Sequence, residues 1–221
     1  MRHYRTDIPL ISFTNTTALK TFEELGVSED IRRAITELGF EHPMPVQEEV
    51  IPFLLGNGND VIALAQTGTG KTAAFGIPLL QRTDASDRTT QALILSPTRE
   101  LCLQIADDLK SFAKYIKGIN IVAVYGGTSI INQIHALKHG AQIIVAYART
   151  AHRPDEPGAA NLDEREERGA RRGGRDAQHG LLGQYKRDIR GCPQDRNTLL
   201  FSATMSREIE KIALNYLHDH K

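Results

Sequence analysis

The sequence has little of what would mark a secreted protein, a metal site or a membrane protein. It contains only two cysteines, Cys102 and Cys192, among 221 residues, too few for a disulfide framework and without the spacing of metal ligands. No apolar run approaches the length that crosses a bilayer, and the N-terminus leads into no apolar signal core. We therefore expect a soluble, cytoplasmic protein without a membrane partner.

An excess of charge of one sign is also missing. The 27 Lys and Arg residues equal the 27 Asp and Glu residues in number, so no overall basic charge indicates a nucleic-acid partner. Such a partner would have to be held by a local surface. The length suits one well-buried α/β domain and is short for two.

The most informative stretch is the loop Ala65–Thr72, which reads Ala-Gln-Thr-Gly-Thr-Gly-Lys-Thr. It follows an apolar run, residues 60–64, that predicts a buried strand, and it precedes a segment that can continue as a helix. Its glycines let the backbone bend closely around anionic oxygens. Lys71 can reach the outer phosphates of a triphosphate, and the Thr72 hydroxyl can bind Mg2+. The alternative is a glycine-rich turn that binds nothing, and Ala65 stands where the usual pattern has glycine.

Apolar periodicity predicts helices and strands in alternation along the rest of the chain. Strands are predicted over residues 92–96, 119–124, 142–146 and 198–201, and helices over residues 28–38, 47–55, 97–117 and 206–217. Ser28 and Ser206 are the predicted caps of the first and last of these helices. The alternation predicts an α/β fold with a mostly parallel sheet flanked by helices.

Two further motifs carry donors or acceptors that suit a nucleotide or a nucleic acid. The Gln47 amide offers a donor and an acceptor together, as reading the edge of adenine requires, although taken alone it is better explained as a surface glutamine. Pro97 can open a helix whose N-terminus, with Thr98 and Arg99, would present donors to a phosphate backbone. The alternative there is ordinary helix capping, with Arg99 and Glu100 as solvated charges.

In order along the chain, these motifs resemble those of the DEAD-box RNA helicases. The resemblance rests on Phe22, Gly39-Phe40, Pro43 and Gln47, on the Ala65 variant of the phosphate loop, on Pro97 to Glu100, on Tyr125 to Thr128, and on Ser202 to Thr204. It implies a first RecA-like domain, a P-loop NTPase fold, over residues 21–218 after an N-terminal extension of residues 1–20. It implies ATP-dependent unwinding or remodelling of RNA, with ATP and Mg2+ as cofactors and RNA bound without sequence preference.

The resemblance also assigns roles to individual residues. The residues that would bind the nucleotide are Phe22, Phe40, Gln47, Ala65, Gln66, Thr67, Gly68, Thr69, Gly70, Lys71 and Thr72. Those that would touch RNA are Pro97, Thr98, Arg99, Glu100 and Gly127, and those that would couple hydrolysis to strand separation are Ser202, Ala203 and Thr204. Lys71 and Thr72 are the predicted catalytic pair, and Thr72 is the predicted metal ligand.

The resemblance breaks between Ala146 and Arg196. There the family should supply Thr-Pro-Gly-Arg and then a strand ending in Asp-Glu-Ala-Asp, whose first residue holds Mg2+ and whose glutamate positions the attacking water. Neither string is present, and the composition of residues 147–190 favours disorder. The acidic pairs Asp163-Glu164 and Glu166-Glu167 do not end a predicted strand, so we do not expect them to replace the motif.

Three interpretations of this segment are open. It could be an arginine–glycine arm for nucleic acid, centred on Arg168–Arg175, or a divergent solvated loop. The third interpretation, which we favour, is the family's own coding sequence read out of frame. Read from one base later, the codons of Glu167–Gly183 can give Asn-Val-Val-Leu-Asp-Glu-Ala-Asp, and those of Tyr147–Pro157 can give Thr-Pro-Gly-Arg. The hypothesis requires the third codon bases of the gene to spell these motifs.

The missing acidic motif decides what we expect of the chemistry. We expect a nucleotide-binding surface that is intact in sequence, with hydrolysis impaired. No second RecA-like domain follows in the sequence, so we do not expect this chain to unwind RNA by itself. The alternatives are a non-catalytic ATP- or RNA-binding module, an inactive out-of-frame product, or a small P-loop kinase, which would leave Gln47 and Pro97 to Glu100 unexplained.

Overall fold

The computed structural model describes residues 20–56, 60–126, 130–147, 192–193 and 196–217. The elements in these ranges are α1 (Glu29–Glu37), α2 (Pro45–Gly56), β1 (Val61–Leu64), α3 (Lys71–Arg82), β2 (Ala92–Ser96), α4 (Arg99–Phe112), β3 (Ile121–Val124), α5 (Ile130–Lys138), β4 (Ile143–Tyr147), β5 (Leu199–Ser202) and α6 (Arg207–Tyr216). None of these helices is long and apolar enough to cross a membrane. Three predictions lie outside the described residues: the extension before Lys20, the role of Gly127 and the disorder of residues 148–190.

The described strands are all paired in parallel. β1 pairs with β5 in one sheet, and β4 lies between β2 and β3 in another. The predicted α/β class, with parallel strands and flanking helices, is confirmed, although these strands form two sheets rather than one. Ile143 and Val145 of the central strand β4 are fully buried, as a continuous apolar run in a parallel sheet requires.

The chain divides into two compact units. The first contains the described residues up to Arg88, Asp107–Asn120 and those from residue 196 onward, and the second contains Thr89–Ala106 and the described residues from Ile121 to Pro193. Helix α4 therefore contributes its first part to the second unit and its last part to the first. The nucleotide loop lies in the first unit and the predicted RNA-binding helix start lies in the second.

The core of the first unit forms where α2 packs on β1. Val46, Val50 and Leu54 recur every four residues along α2, so they line one face of the helix. They form a buried cluster with Val61 and Ala63 of β1. This packing fixes the end of β1, where the nucleotide loop begins, against the helix that carries Gln47.

Several helix ends differ from the prediction for local reasons. Helix α2 begins at Pro45, two residues earlier than predicted. Proline suits the first helical turn, because an N–H group there would have no hydrogen-bond partner within the helix. Ser28 precedes α1 but makes no side-chain cap, and its backbone N–H instead donates to Gln81 Oε1 at 2.9 Å. Helix α4 ends at Phe112 rather than near Lys117, because Phe112 is buried and the chain turns after it.

Helix α5 was not predicted at all. Its apolar residues Ile130, Ile134 and Leu137 are spaced by four and three positions, which is the pattern of an amphipathic helix. The signal was therefore present in the sequence, although only nine residues long. At the other end of the chain the prediction holds, because Ser206 Oγ accepts a hydrogen bond from Ile209 N and caps α6.

Candidate functional site

The predicted strand, glycine loop and helix are present in the first unit, where the loop joins β1 to α3. Gly68 and Gly70 have φ angles of +80° and +77°, in the left-handed region that glycine enters without steric cost. Helix α3 begins at Lys71, and its first N–H groups have no partner within the helix. The loop and this helix start together have the backbone conformation that suits phosphate binding through N–H groups.

The Lys71 side chain is folded back onto its own loop. Its Nζ donates to Ala65 O at 2.6 Å and to Gln66 O at 2.5 Å, and Thr69 Oγ1 donates to the same Gln66 carbonyl at 2.8 Å. Burial lowers the pKa of Lys71 below its ordinary value, because desolvation disfavours the charged ammonium. A phosphate oxygen that replaced these carbonyls would pair with the ammonium directly and favour its charged form.

Gln47 connects α2 to the nucleotide loop. The side chain is fully buried. Its Oε1 accepts from Met44 N at 2.9 Å, and its Nε2 donates to Gly70 O at 3.1 Å. Both ends of the amide are therefore bonded to backbone, and its second N–H and the second lone pair of its oxygen are the groups that contact with adenine would use. Adenine reading by Gln47 stays a prediction, while its bond to the loop is a contact that the sequence did not reveal.

Phe22 and Phe40 lie in an aromatic cluster. Their ring centroids are 6.3 Å apart, and Phe40 meets Phe112 edge to face at 5.8 Å. Phe22 is only 6% exposed, so its ring packs into the core of the first unit and presents little surface to a base. The predicted contacts of these two rings with adenine remain predictions.

The predicted coupling motif touches the nucleotide loop. Ala65 N donates to Ser202 O at 2.9 Å where the parallel strands β1 and β5 end. Ser202 Oγ in turn donates to Thr204 O at 2.8 Å, and the Phe201 ring lies 5.2 Å from that of Phe75 in α3. The nucleotide loop and the predicted coupling motif are therefore joined by a backbone hydrogen bond.

The predicted RNA-binding residues of the second unit are all exposed at the start of α4: Pro97, Thr98, Arg99 and Glu100. The helix begins at Arg99 rather than Pro97, because Thr98 Oγ1 accepts from Leu101 N and takes the capping position. The Arg99 guanidinium lies over the Tyr125 ring, 4.9 Å from its centroid. This stacking holds the cation at the surface with its N–H groups available to an anion.

Tyr125 and Gln133 are two residues of this region to which the sequence gave no role of their own. Gln133 Oε1 accepts from Tyr125 N at 3.1 Å, and Gln133 Nε2 donates to Tyr125 O at 2.9 Å. The amide of α5 thus fixes the backbone of the residue on which Arg99 stacks. A tyrosine directly before two glycines was a possible signal, but nothing local marks Gln133.

The metal prediction rests on Thr72, and it stays a prediction. Thr72 lies half-buried in the first turn of α3. Within the described ranges no three His, Cys, Asp or Glu side chains cluster as metal ligands would. Mg2+ is commonly held by one or two carboxylates together with substrate phosphates, so the described residues fit a polyphosphate better than they fit the ion.

Comparison with known proteins gives one consistent result. A family model described as DEAD/DEAH box helicase matches residues 44–212. The chain is 41% identical over 199 residues to the ATP-dependent RNA helicase DeaD of Haemophilus influenzae and 40% identical over 206 residues to the ATP-dependent RNA helicase CshA of Limosilactobacillus reuteri. Each alignment covers 90% of this chain but only 32% and 39% of the relative. The chain therefore spans about a third of the length of these curated relatives.

Solved structures agree with the sequence relatives. A DEAD box protein from the hyperthermophile Methanococcus jannaschii aligns with a TM-score of 0.74 and 35% identity, covering 91% of this chain and 55% of that one. A Saccharomyces cerevisiae Dbp5 variant bound to RNA and ADP BeF3 aligns with a TM-score of 0.70 and 28% identity, covering 90% of this chain and 50% of that one. The fold and the family resemblance are thus confirmed together.

Proposed function

The chain belongs to the DEAD/DEAH box helicase family, and we propose that it forms the ATP-binding, first RecA-like domain of an RNA helicase. One observation carries the proposal: the loop Ala65–Thr72 is bonded to both the predicted adenine-reading residue and the predicted coupling motif. Gln47 Nε2 donates to Gly70 O, and Ala65 N donates to Ser202 O. A glycine loop that served only as a turn would not need to join these two motifs.

In the proposed mechanism, ATP enters with its phosphates on the loop and at the start of α3. The Lys71 ammonium would exchange the carbonyls of Ala65 and Gln66 for the phosphates, and the Thr72 hydroxyl is the described group that would hold Mg2+. When bound, Mg2+ would supply neutralisation of the phosphate charge. Thr98 and Arg99, which are exposed, donate to RNA phosphates, and such contacts carry no base information. RNA would therefore be bound without sequence preference, in the cytoplasm.

We also propose that hydrolysis is impaired in the chain as written. The sequence contains no Asp-Glu-Ala-Asp string. Without a carboxylate that orients the attacking water, the phosphate loop alone accelerates hydrolysis little. The out-of-frame origin of residues 147–190 belongs to the same proposal, which predicts that the third codon bases of that stretch spell the missing motifs one base later. ATP-dependent unwinding or remodelling of RNA is the process to which an intact domain would contribute.

The same missing motif supports a second candidate function. A domain that holds ATP and RNA but does not turn ATP over is a non-catalytic binding module, and a domain that holds neither is an inactive out-of-frame product. Nucleotide binding separates the binding module from the inactive product, and phosphate release in the presence of RNA tests whether hydrolysis is impaired. Turnover at a rate that RNA stimulates would contradict the proposed impairment.

Nucleotide-dependent thermal stabilisation tests the binding step. A ligand at 100 times its dissociation constant stabilises the native state by about 2.7 kcal/mol, so ATP with Mg2+ should raise the unfolding temperature of the parent chain measurably. Lys71→Ala should abolish the shift, because it removes the only described cation that contacts the loop carbonyls of Ala65 and Gln66. Lys110→Ala is the matched control, since Lys110 is an exposed lysine of α4. Absence of any shift in the parent chain would contradict ATP binding.

A further inference from the structure

Gln133 of α5 bonds to the backbone of Tyr125 at both of its polar ends. Its Oε1 accepts from Tyr125 N at 3.1 Å, and its Nε2 donates to Tyr125 O at 2.9 Å. A glutamine amide carries a donor and an acceptor side by side, so it can satisfy the N–H and the C=O of a single residue. The two bonds together restrict the backbone of Tyr125 more than either bond would alone.

These bonds lie just beyond the point where the sheet holds the chain. Strand β3 ends at Val124, which is also its last residue in register with β4. Tyr125 is the next residue, and two glycines, Gly126 and Gly127, follow it in the sequence. Glycine restricts the backbone less than any other residue. The bonds of Gln133 therefore fix the backbone of Tyr125 where the chain leaves the sheet.

The Tyr125 ring in turn supports Arg99. The Arg99 guanidinium lies 4.9 Å from the centroid of the ring, and Arg99 is exposed in the first turn of α4. None of the ion pairs among the described residues includes Arg99. A long side chain loses much rotamer freedom when a ligand fixes it. Stacking on Tyr125 orders the guanidinium beforehand, so it lowers the entropic cost of placing this cation on an anion.

The three residues belong to the same compact unit, which contains Thr89–Ala106 and the described residues from Ile121 to Pro193. The contacts run from the Gln133 amide to the Tyr125 backbone, and from the Tyr125 ring to Arg99. A role for Gln133 in binding therefore needs no contact of its own with the ligand.

We propose that Gln133 is a positioning residue for the contact between Arg99 and an RNA phosphate. The inference rests on the proposed function for the ligand, and it adds a residue of α5 that lies outside the predicted RNA-binding motif. With the amide in place, the Tyr125 ring is presented to Arg99 and the guanidinium meets the phosphate already oriented. Without the amide, RNA binding itself has to order both side chains.

Binding of RNA to the full chain tests the proposal. The probe is a fluorescently labelled single-stranded oligouridylate, and anisotropy gives its affinity over a series of KCl concentrations. Gln133→Met removes both hydrogen bonds and keeps the length of the side chain. We expect it to weaken binding about two- to tenfold, as ordering one long side chain on binding would. Asn132→Met is the matched control, because Asn132 is an exposed amide at the preceding position of α5, and it should bind as the parent does.

A double-mutant cycle separates positioning from a merely structural role. Arg99→Ala removes the phosphate contact, so it should weaken binding and reduce the steepness of the dependence of log K on log salt by about 0.7. In the Arg99→Ala background, Gln133→Met should weaken binding no further. Tyr125→Leu removes the ring and keeps the backbone groups, and it should reproduce the loss caused by Gln133→Met. If circular dichroism shows that Gln133→Met does not fold, Tyr125→Leu decides.

Three outcomes would overturn the inference. Parent-like binding by Gln133→Met and Tyr125→Leu, beside weakened binding by Arg99→Ala, would refute the positioning role and leave the proposed function standing. A loss from Gln133→Met that is undiminished in the Arg99→Ala background would show that the amide acts only on the stability of its unit. Absence of RNA binding by the parent chain, or parent-like binding by Arg99→Ala, would contradict the phosphate contact and with it this part of the proposed function.

Discussion

Replacing Gly70 with alanine tests the bond between Gln47 and the nucleotide loop. A Cβ on Gly70 would lie 2.2 Å from Gln47 Nε2 and 3.2 Å from its Cδ, at a residue whose φ is +77°. Gly68→Ala is the matched control, because Gly68 has a φ of +80° but its Cβ would meet nothing within 4 Å. The two variants share the backbone strain, and only Gly70→Ala displaces the glutamine.

The expected magnitudes follow from these two effects. A non-glycine residue in the left-handed region costs about 1–2 kcal/mol. Displacing the buried Gln47 amide from Gly70 O and Met44 N leaves polar groups without partners, which costs about 1–3 kcal/mol more. We therefore expect Gly68→Ala to lower the free energy of unfolding by about 1–2 kcal/mol and Gly70→Ala to lower it by about 2–5 kcal/mol. The second loss is a large fraction of the about 5–15 kcal/mol that stabilises a typical protein.

Urea denaturation followed by far-UV circular dichroism measures both losses. A double-mutant cycle with Gln47→Ala isolates the clash, because without the glutamine side chain Gly70→Ala should cost only the backbone strain. Equal losses for the two glycine variants would refute the reasoning. So would a Gly70→Ala cost that is undiminished in the Gln47→Ala background.

Two further predictions concern helix capping and an ion pair. Ser206→Ala should destabilise the chain by about 1 kcal/mol, because Ser206 Oγ caps α6, whereas Ser28→Ala should have almost no effect, since Ser28 makes no side-chain cap; urea denaturation of the two variants compares them. Glu37 accepts hydrogen bonds from Lys114 at 2.5 Å and from Tyr115, and these partners lower the pKa of Glu37. The folded state therefore releases its proton more readily than the unfolded state, so the contribution of Glu37 to stability is present above the ordinary glutamate pKa of about 4.3 and is lost as the pH falls below it. The difference in unfolding temperature between the parent chain and Glu37→Gln should accordingly shrink with acidification, and a difference independent of pH would contradict this assignment.

The local elements could be read from the sequence because each depends on near neighbours. The apolar run before the phosphate loop predicted β1, the glycines predicted the turn, and the α3 helix starts near Lys71 as expected. Strand β2 has the predicted bounds, and β3, β4 and β5 differ from theirs by two residues at most. The spacing of apolar residues by two or four positions is a property of the sequence itself. It therefore does not depend on how the rest of the chain folds.

The contacts that build the site could not be read in the same way. Gln47 and Gly70 are 23 positions apart, and the buried Asp60 accepts from Thr198 N across 138 positions. The stacking of Arg99 on Tyr125 likewise joins the start of α4 to the residue that follows β3. Such pairs form only when helices and strands pack, and no local pattern specifies which buried polar group will satisfy which backbone donor.

The sequence by itself therefore determined the family motifs, the alternation of helices and strands, and the absence of an Asp-Glu-Ala-Asp string. Tertiary structure decided that the Gln47 amide is bonded to the nucleotide loop, that Ala65 is bonded to Ser202, and that the described strands form two parallel sheets. The physical reason is that local spacing fixes backbone conformation, whereas burial and hydrogen-bond partners depend on which distant surfaces exclude water together.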